Sequence, residues 1–307
     1  MSGTGDEWQV ARRRKGATKK SKSPQVSSAL NFCQEHLDIN KTVKRIKDTV
    51  TSGWSGKVSI LLLLNFLPLI ILSSAFSLVT LFVCFSSPEE LLAASSSASK
   101  PWEQLEECVC YGLGSFSSCV SARFQLALLL LLLEAGQVRG TDCSVYDPAF
   151  SSAERDVLRE LGLTVLTENE EGKRVASKPT LFYLMHCGKA LYNNLLWKNW
   201  STQCLSMVII IGNSFSGIRE RTIDRELQRD YGYISKAVNF CEERRLPCPA
   251  RLIDVFSDTS VISFPSCSLQ GLPQSTWTDP PEPQYQHCSD LEIILKETQT
   301  ACSQLIN

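Results

Sequence analysis

Glu107-Cys108-Val109-Cys110-Tyr111-Gly112-Leu113-Gly114-Ser115 is the stretch on which the fold turns. A short buried run, too brief for a helix, stops on two glycines and a serine. The residues after it, from Phe116 to Glu134, read as a helix, with Ser115 or Ser117 as its N-cap. The run Leu126–Leu133 within that helix is apolar on every side but only eight residues long. That length suits a helix buried against a sheet and is too short to cross lipid.

Working outward, the same alternation recurs. Cys143–Tyr146 reads as a strand ended by Asp147-Pro148. Ser151–Leu161 follows as a helix, capped by Ser151 or Ser152 with Glu154 in its first turn. Leu163–Leu166 is a third strand, and Glu168–Lys178 a polar loop. Thr180–Met185 is a fourth strand closed by His186-Cys187-Gly188-Lys189, with a helix over Ala190–Trp197. Met207–Ile211 is a strongly β-branched strand ending at Gly212-Asn213-Ser214-Phe215. A long amphipathic helix is expected over Ile218–Arg244, then one or two short strands within Arg251–Phe264. Strands that are apolar on both faces and alternate with helices predict an α/β, Rossmann-like fold, with a mostly parallel sheet and helices on both faces. The domain is placed at residues 105–265, followed by a C-terminal extension, 266–307.

In such sheets, ligands bind beyond the carboxyl ends of the strands, where strand order reverses. Gly112, Gly114, Ser115, Asp147, His186, Lys189 and Asn213 all fall at such ends and form the candidate ligand site. Gly112 and Gly114 would let backbone amides approach an anion at a helix start. Ser117 stands where a dinucleotide fingerprint needs its third glycine, so a tight strand-to-helix turn is the competing reading. Asp147 could bond a ribose or simply form a turn. Lys189 would complement an anion. His186 and Cys187 are adjacent on a strand and point to opposite sides, so they are not read as a catalytic pair. No catalytic residue is assigned. A small anionic or nucleotide-like ligand is the occupant these residues suit.

The rest of the chain constrains compartment and partners. Formal net charge is −1, which gives no reason to seek nucleic acid. Arg12, Arg13, Arg14, Lys15, Lys19, Lys20 and Lys22 crowd the start among Gly, Ser and Thr, and residues 1–57 read as a basic, largely disordered tail. The 13 cysteines include no CxxC spacing and often sit in apolar runs, as free thiols do in a reducing compartment. His287, Cys288 and Cys302 lack a fourth zinc ligand, so no metal is expected. Val58–Phe85 carries no charge and exceeds the ~20 residues a membrane helix needs. A membrane anchor through 58–85 would place the later cysteines across the bilayer. A translated intron or alternative exon over residues 58–86 removes that conflict: Lys57-Val58-Ser59 can be encoded AAG-GTA-AGT, a splice-donor pattern, and Leu81–Ser86 suits pyrimidine-rich codons.

Several of these blocks carry a family resemblance. Val109-Cys110-Tyr111-Gly112-Leu113-Gly114-Ser115-Phe116-Ser117, Leu184-Met185-His186-Cys187-Gly188-Lys189, Ile210-Ile211-Gly212-Asn213-Ser214-Phe215 and Phe256-Ser257-Asp258-Thr259 resemble the sensitivity-to-red-light-reduced family. Trp8 and the basic run after it resemble that family's start. The resemblance implies a regulator of circadian clock gene expression and of haem biosynthesis, in cytoplasm and nucleus, with protein partners in those pathways and no established reaction. Ser257 departs from the asparagine expected there, and Val58–Phe85 has no place in the family pattern. The competing functions are an enzyme using a nucleotide or S-adenosyl cofactor and a membrane-anchored protein.

Every strand–helix unit lies after Ser86, so deletion of residues 58–86 should leave the domain folded and raise its solubility. A single cooperative thermal transition in the deleted chain is the expected result; its absence would make the segment part of the fold.

Overall fold

The computed structural model describes Lys44, Asp48 and residues 105–293, except 247, 249, 279, 286, 287 and 289–292. The rest of the basic region 1–57, the apolar insert 58–86 and the end of the extension, with His287 and Cys302, lie outside the described residues.

Seven strands form one sheet: β1 Glu107–Tyr111, β2 Cys143–Tyr146, β3 Thr164–Val165, β4 Thr180–Leu184, β5 Val208–Asn213, β6 Glu242–Arg245 and β7 Thr259–Ser263. Their order is β3-β2-β1-β4-β5-β7-β6. The first five are parallel, and β7 runs antiparallel to both of its neighbours. The fold is therefore α/β with a mostly parallel, Rossmann-like sheet. Helices α1 Val120–Ala135 and α2 Ser152–Glu160 cover one face. Helices α3 Lys189–Lys198, α4 Thr202–Leu205, α5 Phe215–Arg221, α6 Asp224–Asp230 and α7 Gly232–Ala237 cover the other.

The pleat of β1 explains both layers. Cys108 and Cys110 pack beneath α1, whereas Val109 and Tyr111 face α3, and all four are buried. Cys108 lies level with Cys143 of β2, and both behave as core hydrophobes. Hydrogen bonding to Cys143 and burial push the Cys108 thiol up, which keeps it protonated and unreactive. All ten cysteines among the described residues are free. Among the described residues no helix is long and apolar enough to cross a membrane.

Two local expectations are corrected. The first helix begins at Val120, not Phe116, because the segment after β1 is held as a turn with Cys119 N–H bonded to Ser115 O. Ser115 and Ser117 are therefore not its caps. The expected long helix over 218–244 is three short ones followed by strand β6. Thr222 is extended at ψ 137°, and Tyr231 leaves helical geometry just before Gly232. Glu242-Glu243-Arg244-Arg245 then forms an edge strand, where charge discourages further pairing. Glu243 ties that edge to the start of α5 by accepting from the Ser216 amide and hydroxyl at 2.9 and 2.7 Å. The region Arg251–Phe264, where one or two short strands were expected, holds one, β7, preceded by a short helix α8, Ile253–Phe256. A final short helix, α9 Ser266–Gln270, packs on the α3 face through Leu269, as do Trp277, Tyr285, Cys288 and Ile293 beyond it.

The expected cap of α2 is present as a full capping box between Ser151 and Glu154. Glu154 does more than cap. It is fully buried, and beyond the Ser151 amide at 2.9 Å it accepts from the Ser117 amide at 2.9 Å and the Ser115 hydroxyl at 2.8 Å. Burial works to raise its pKa, but these donors outweigh it and the carboxyl is held below its usual range. A depressed folded pKa stabilises the protein above the unfolded value of about 4.3 and loses that effect as pH falls through the folded value. Glu154→Ala should cost about 1–3 kcal/mol by leaving half-buried donors without their acceptor. Urea titrations below pH 5 should show a shallower acid loss in Glu154→Gln than in the natural chain.

Candidate functional site

The strand registers place the proposed site residues along one edge. Tyr111 is level with Tyr146 of β2 and Leu184 of β4, and Leu184 is level with Gly212 of β5. Strand order reverses between β1 and β4, so this edge is the switch point where open α/β sheets bind ligands. Cys187 stands in that crevice. Its Sγ lies 3.4 Å from the Tyr111 carbonyl and 2.5 Å from where a Cβ on Gly112 would sit. Gly112, at φ 67°, meets both demands: left-handed backbone and no side chain.

The turn residues are satisfied internally. Gly114, at φ 77°, donates its amide to Asp147 Oδ2 at 2.7 Å, and Asp147 Oδ1 accepts from Ala149 N–H at 2.7 Å. Asp147 is thus the turn-forming acid, with each oxygen bonded to a backbone amide. Ser115 and Ser117 are bonded to Glu154. Two carboxylates therefore sit where the glycine turn was expected to receive an anion.

His186 turns away from the α3 face. At φ 51° it places Nε2 2.6 Å from the Val255 carbonyl of α8. Lys189 leaves the strand end on the other side, 3.2 Å from Glu226 and 5.0 Å above the Tyr231 ring. Asn213 is oriented by Tyr192, whose hydroxyl accepts the Asn213 amide at 2.8 Å and lies 2.9 Å from its Oδ1 and close to the Leu184 carbonyl. Burial pushes the Tyr192 phenol well up, so it stays protonated and serves as a fixed bridge between β4 and β5.

Lys189 and Asn213 line one cleft of about 180 Å³, together with Cys187, Arg221 and Tyr231. Arg221 on its rim pairs with Asp258 through Nη2 and Oδ2 at 2.5 Å. The cleft thus brings together two of the expected residues, with Gly112 directly behind Cys187. Gly114, Ser115 and Asp147 buttress the adjoining turn, and His186 faces the opposite layer. Sequence reasoning missed Arg221, Tyr231 and Tyr192. Arg221 and Tyr192 lie on helices and Tyr231 lies between α6 and α7, so only the packing of α3, α5 and α6 brings them to the strand end. The block Asp258-Thr259 was visible, but not its pairing with Arg221.

Comparison with known proteins finds relatives of this domain. A model of the SRR1 domain matches residues 84–263, leaving almost all of the apolar stretch outside. An SRR1-like protein of Mus musculus is 58% identical over 152 residues, 49% of this chain and 58% of the mouse protein. An SRR1-like protein of Drosophila melanogaster is 32% identical over 206 residues, covering 66% of this chain and 69% of its own length. Protein SENSITIVITY TO RED LIGHT REDUCED 1 of Arabidopsis thaliana is 42% identical over 115 residues, 38% of this chain and 42% of the plant protein. The matched part of the chain thus spans little more than half of the mouse relative.

The contact between residues 112 and 187 gives a direct test. Gly112→Ala should cost about 2–4 kcal/mol, from left-handed strain plus collision with Cys187. In a Cys187→Ala background the collision disappears and only the strain remains, so the penalty should fall by roughly half. Equal penalties in the two backgrounds would mean that Cys187 does not fill the crevice.

Proposed function

The chain belongs to the SRR1 domain family, and on that premise we propose that it is a regulatory protein, acting in circadian clock gene expression and in haem biosynthesis through a small anionic ligand held beyond β4 and β5. The regulatory part draws on the relatives, one of which is named for sensitivity to red light. The ligand part rests on one observation: Lys189 and Arg221 share a cleft with Asn213 at the carboxyl end of parallel strands. Each cation holds a partly exposed carboxylate, and such pairs are worth only ~0–1 kcal/mol. An incoming phosphate or carboxylate could therefore take either cation from its partner at little cost. The Asn213 side chain would fix the anion's orientation.

A second reading, an enzyme using a nucleotide-like or S-adenosyl cofactor, draws on the two left-handed glycines beside the switch point. It ranks behind the first. The amides of Gly114 and Ser117 already serve Asp147 and Glu154, and about 180 Å³ is below the roughly 300–1,000 Å³ that larger ligands occupy. Mass spectrometry of the natively purified protein separates the two: a stoichiometric nucleotide or S-adenosyl compound would favour the enzyme.

Lys189→Ala should leave the melting temperature within a degree or two, because its ion pair is weak. It should nevertheless abolish stabilisation by whichever of phosphate, pyrophosphate or small carboxylates raises the melting temperature of the natural chain, and should impair clock-reporter activity in cells. Full cellular activity of the variant, with no anion stabilising the natural chain, would overturn the assignment.

A further inference from the structure

Away from the cleft, the C-terminal extension crosses the aromatic surface of α3 and α7 as a proline-rich strap. The sequence there is Pro280-Pro281-Glu282-Pro283-Gln284-Tyr285. Ring N–H and O–H donors read its backbone. Trp197 Nε1 donates to the Pro280 carbonyl at 3.0 Å, and the Tyr233 hydroxyl donates to the Pro281 carbonyl at 2.7 Å. Just upstream, Trp200 Nε1 donates to the Thr276 carbonyl at 2.8 Å. Proline has no amide to offer but leaves its carbonyls free, and aromatic grooves recognise such segments through these acceptors. Charge reinforces the fit, as Lys173 Nζ lies 2.9 Å from Glu282.

The strap does not fill its groove. Beside it lies a hollow of about 450 Å³, with Trp200, Tyr233 and Phe240 among its walls and exposed Lys236 on its rim. The strap's anchor is Tyr285, whose hydroxyl lies 2.7 Å from Asn194 Oδ1, 3.1 Å from Asn193 Nδ2 and 3.2 Å from the Ala190 carbonyl. We propose that this groove is a docking site for an acidic, proline-rich segment of a partner protein, which takes the place of the chain's own strap. The strap is then an intramolecular competitor. Tethered, it stands at millimolar effective concentration, so the groove opens only to a segment that outcompetes it or when Tyr285 is released.

The test uses the full chain and a labelled peptide with the sequence of residues 276–286. The natural chain should bind it weakly. Tyr285→Phe, which removes the anchoring hydroxyl, should bind it about five- to tenfold more tightly, as expected for the loss of buried hydrogen bonds. Pro280→Gly with Pro281→Gly weakens the strap by a second route and should give the same gain. Adding Trp197→Phe, which removes the indole donor, should abolish the gain without changing the melting temperature of the Tyr285→Phe chain. A peptide with its three prolines replaced by alanine should not bind. The proposal is overturned if neither strap variant binds better while hydrogen exchange shows residues 280–285 released. It is equally overturned if the proline-free peptide binds as well, or if the released strap engages a second copy and the chain dimerises.

Discussion

Two buried carboxylates hold the turn after β1, and the carboxyl edge of the sheet depends on them. Asp147, at the end of β2, takes the amide of Gly114; Glu154, in the first turn of α2, takes the amide of Ser117 and the hydroxyl of Ser115. Both acids come from the unit following the turn they hold, so the first two strand–helix units are joined by more than sheet pairing. With the turn fixed, Leu113 and Phe116 are buried in the layer beneath α1. Buried amides left without acceptors would carry a desolvation cost of about 1–3 kcal/mol each. The same bonds give the glycine turn a structural duty, and the positive charge along this edge lies elsewhere.

It lies on the other side of the switch point, in Lys189 and Arg221. Gly112 lacks a side chain where Cys187 enters, so the segment after β4 packs against the end of β1 and α3 starts with Lys189 facing outward. Gly212 faces the same demand, because a Cβ there would lie 2.5 Å from the Tyr192 hydroxyl. Tyr192 in turn fixes Asn213. Close backbone approach at two glycines and one buried phenol thus determine the cleft floor, and flexible charged side chains from α3 and α5 form its rim.

The parallel core was legible in the sequence because its strands are short, apolar and punctuated. Glu107–Tyr111, Cys143–Tyr146 and Thr180–Leu184 each end on residues that cannot continue a buried strand. The capping box at Ser151 was equally plain, since its residues carry the bonding pattern themselves. The segment 215–245 was not legible. Its charges recur at helical spacing, and nothing local says that Glu242–Arg245 will pair with β7, whose own position depends on β5. The cleft was half legible: Lys189 and Asn213 sit at strand ends, where topology points. Arg221 and Tyr231 arrive through helix packing, which periodicity does not reveal.

Helix α3 carries residues of both the cleft and the strap contact. Its first residue, Lys189, faces the cleft, and Asn193 and Asn194 in its middle meet Tyr285 of the strap. Its last turn carries Trp197, which reads Pro280, and Asn199 just beyond bonds the Arg174 carbonyl and the Ala176 amide of the polar loop. Asn193 also accepts from the Tyr233 amide, so α3 and α7 share one buried polar residue. A helix of ten residues is a single stiff body, held at both ends and in the middle by directional bonds. Its buried side-chain amides have partners besides Tyr285: Asn193 Oδ1 accepts from the Tyr233 and Ile234 amides, and Asn194 Nδ2 donates to the Glu171 carbonyl at 2.9 Å. The strap contact and the cleft thus share one helix, and Tyr192 on that helix bonds Asn213 as well.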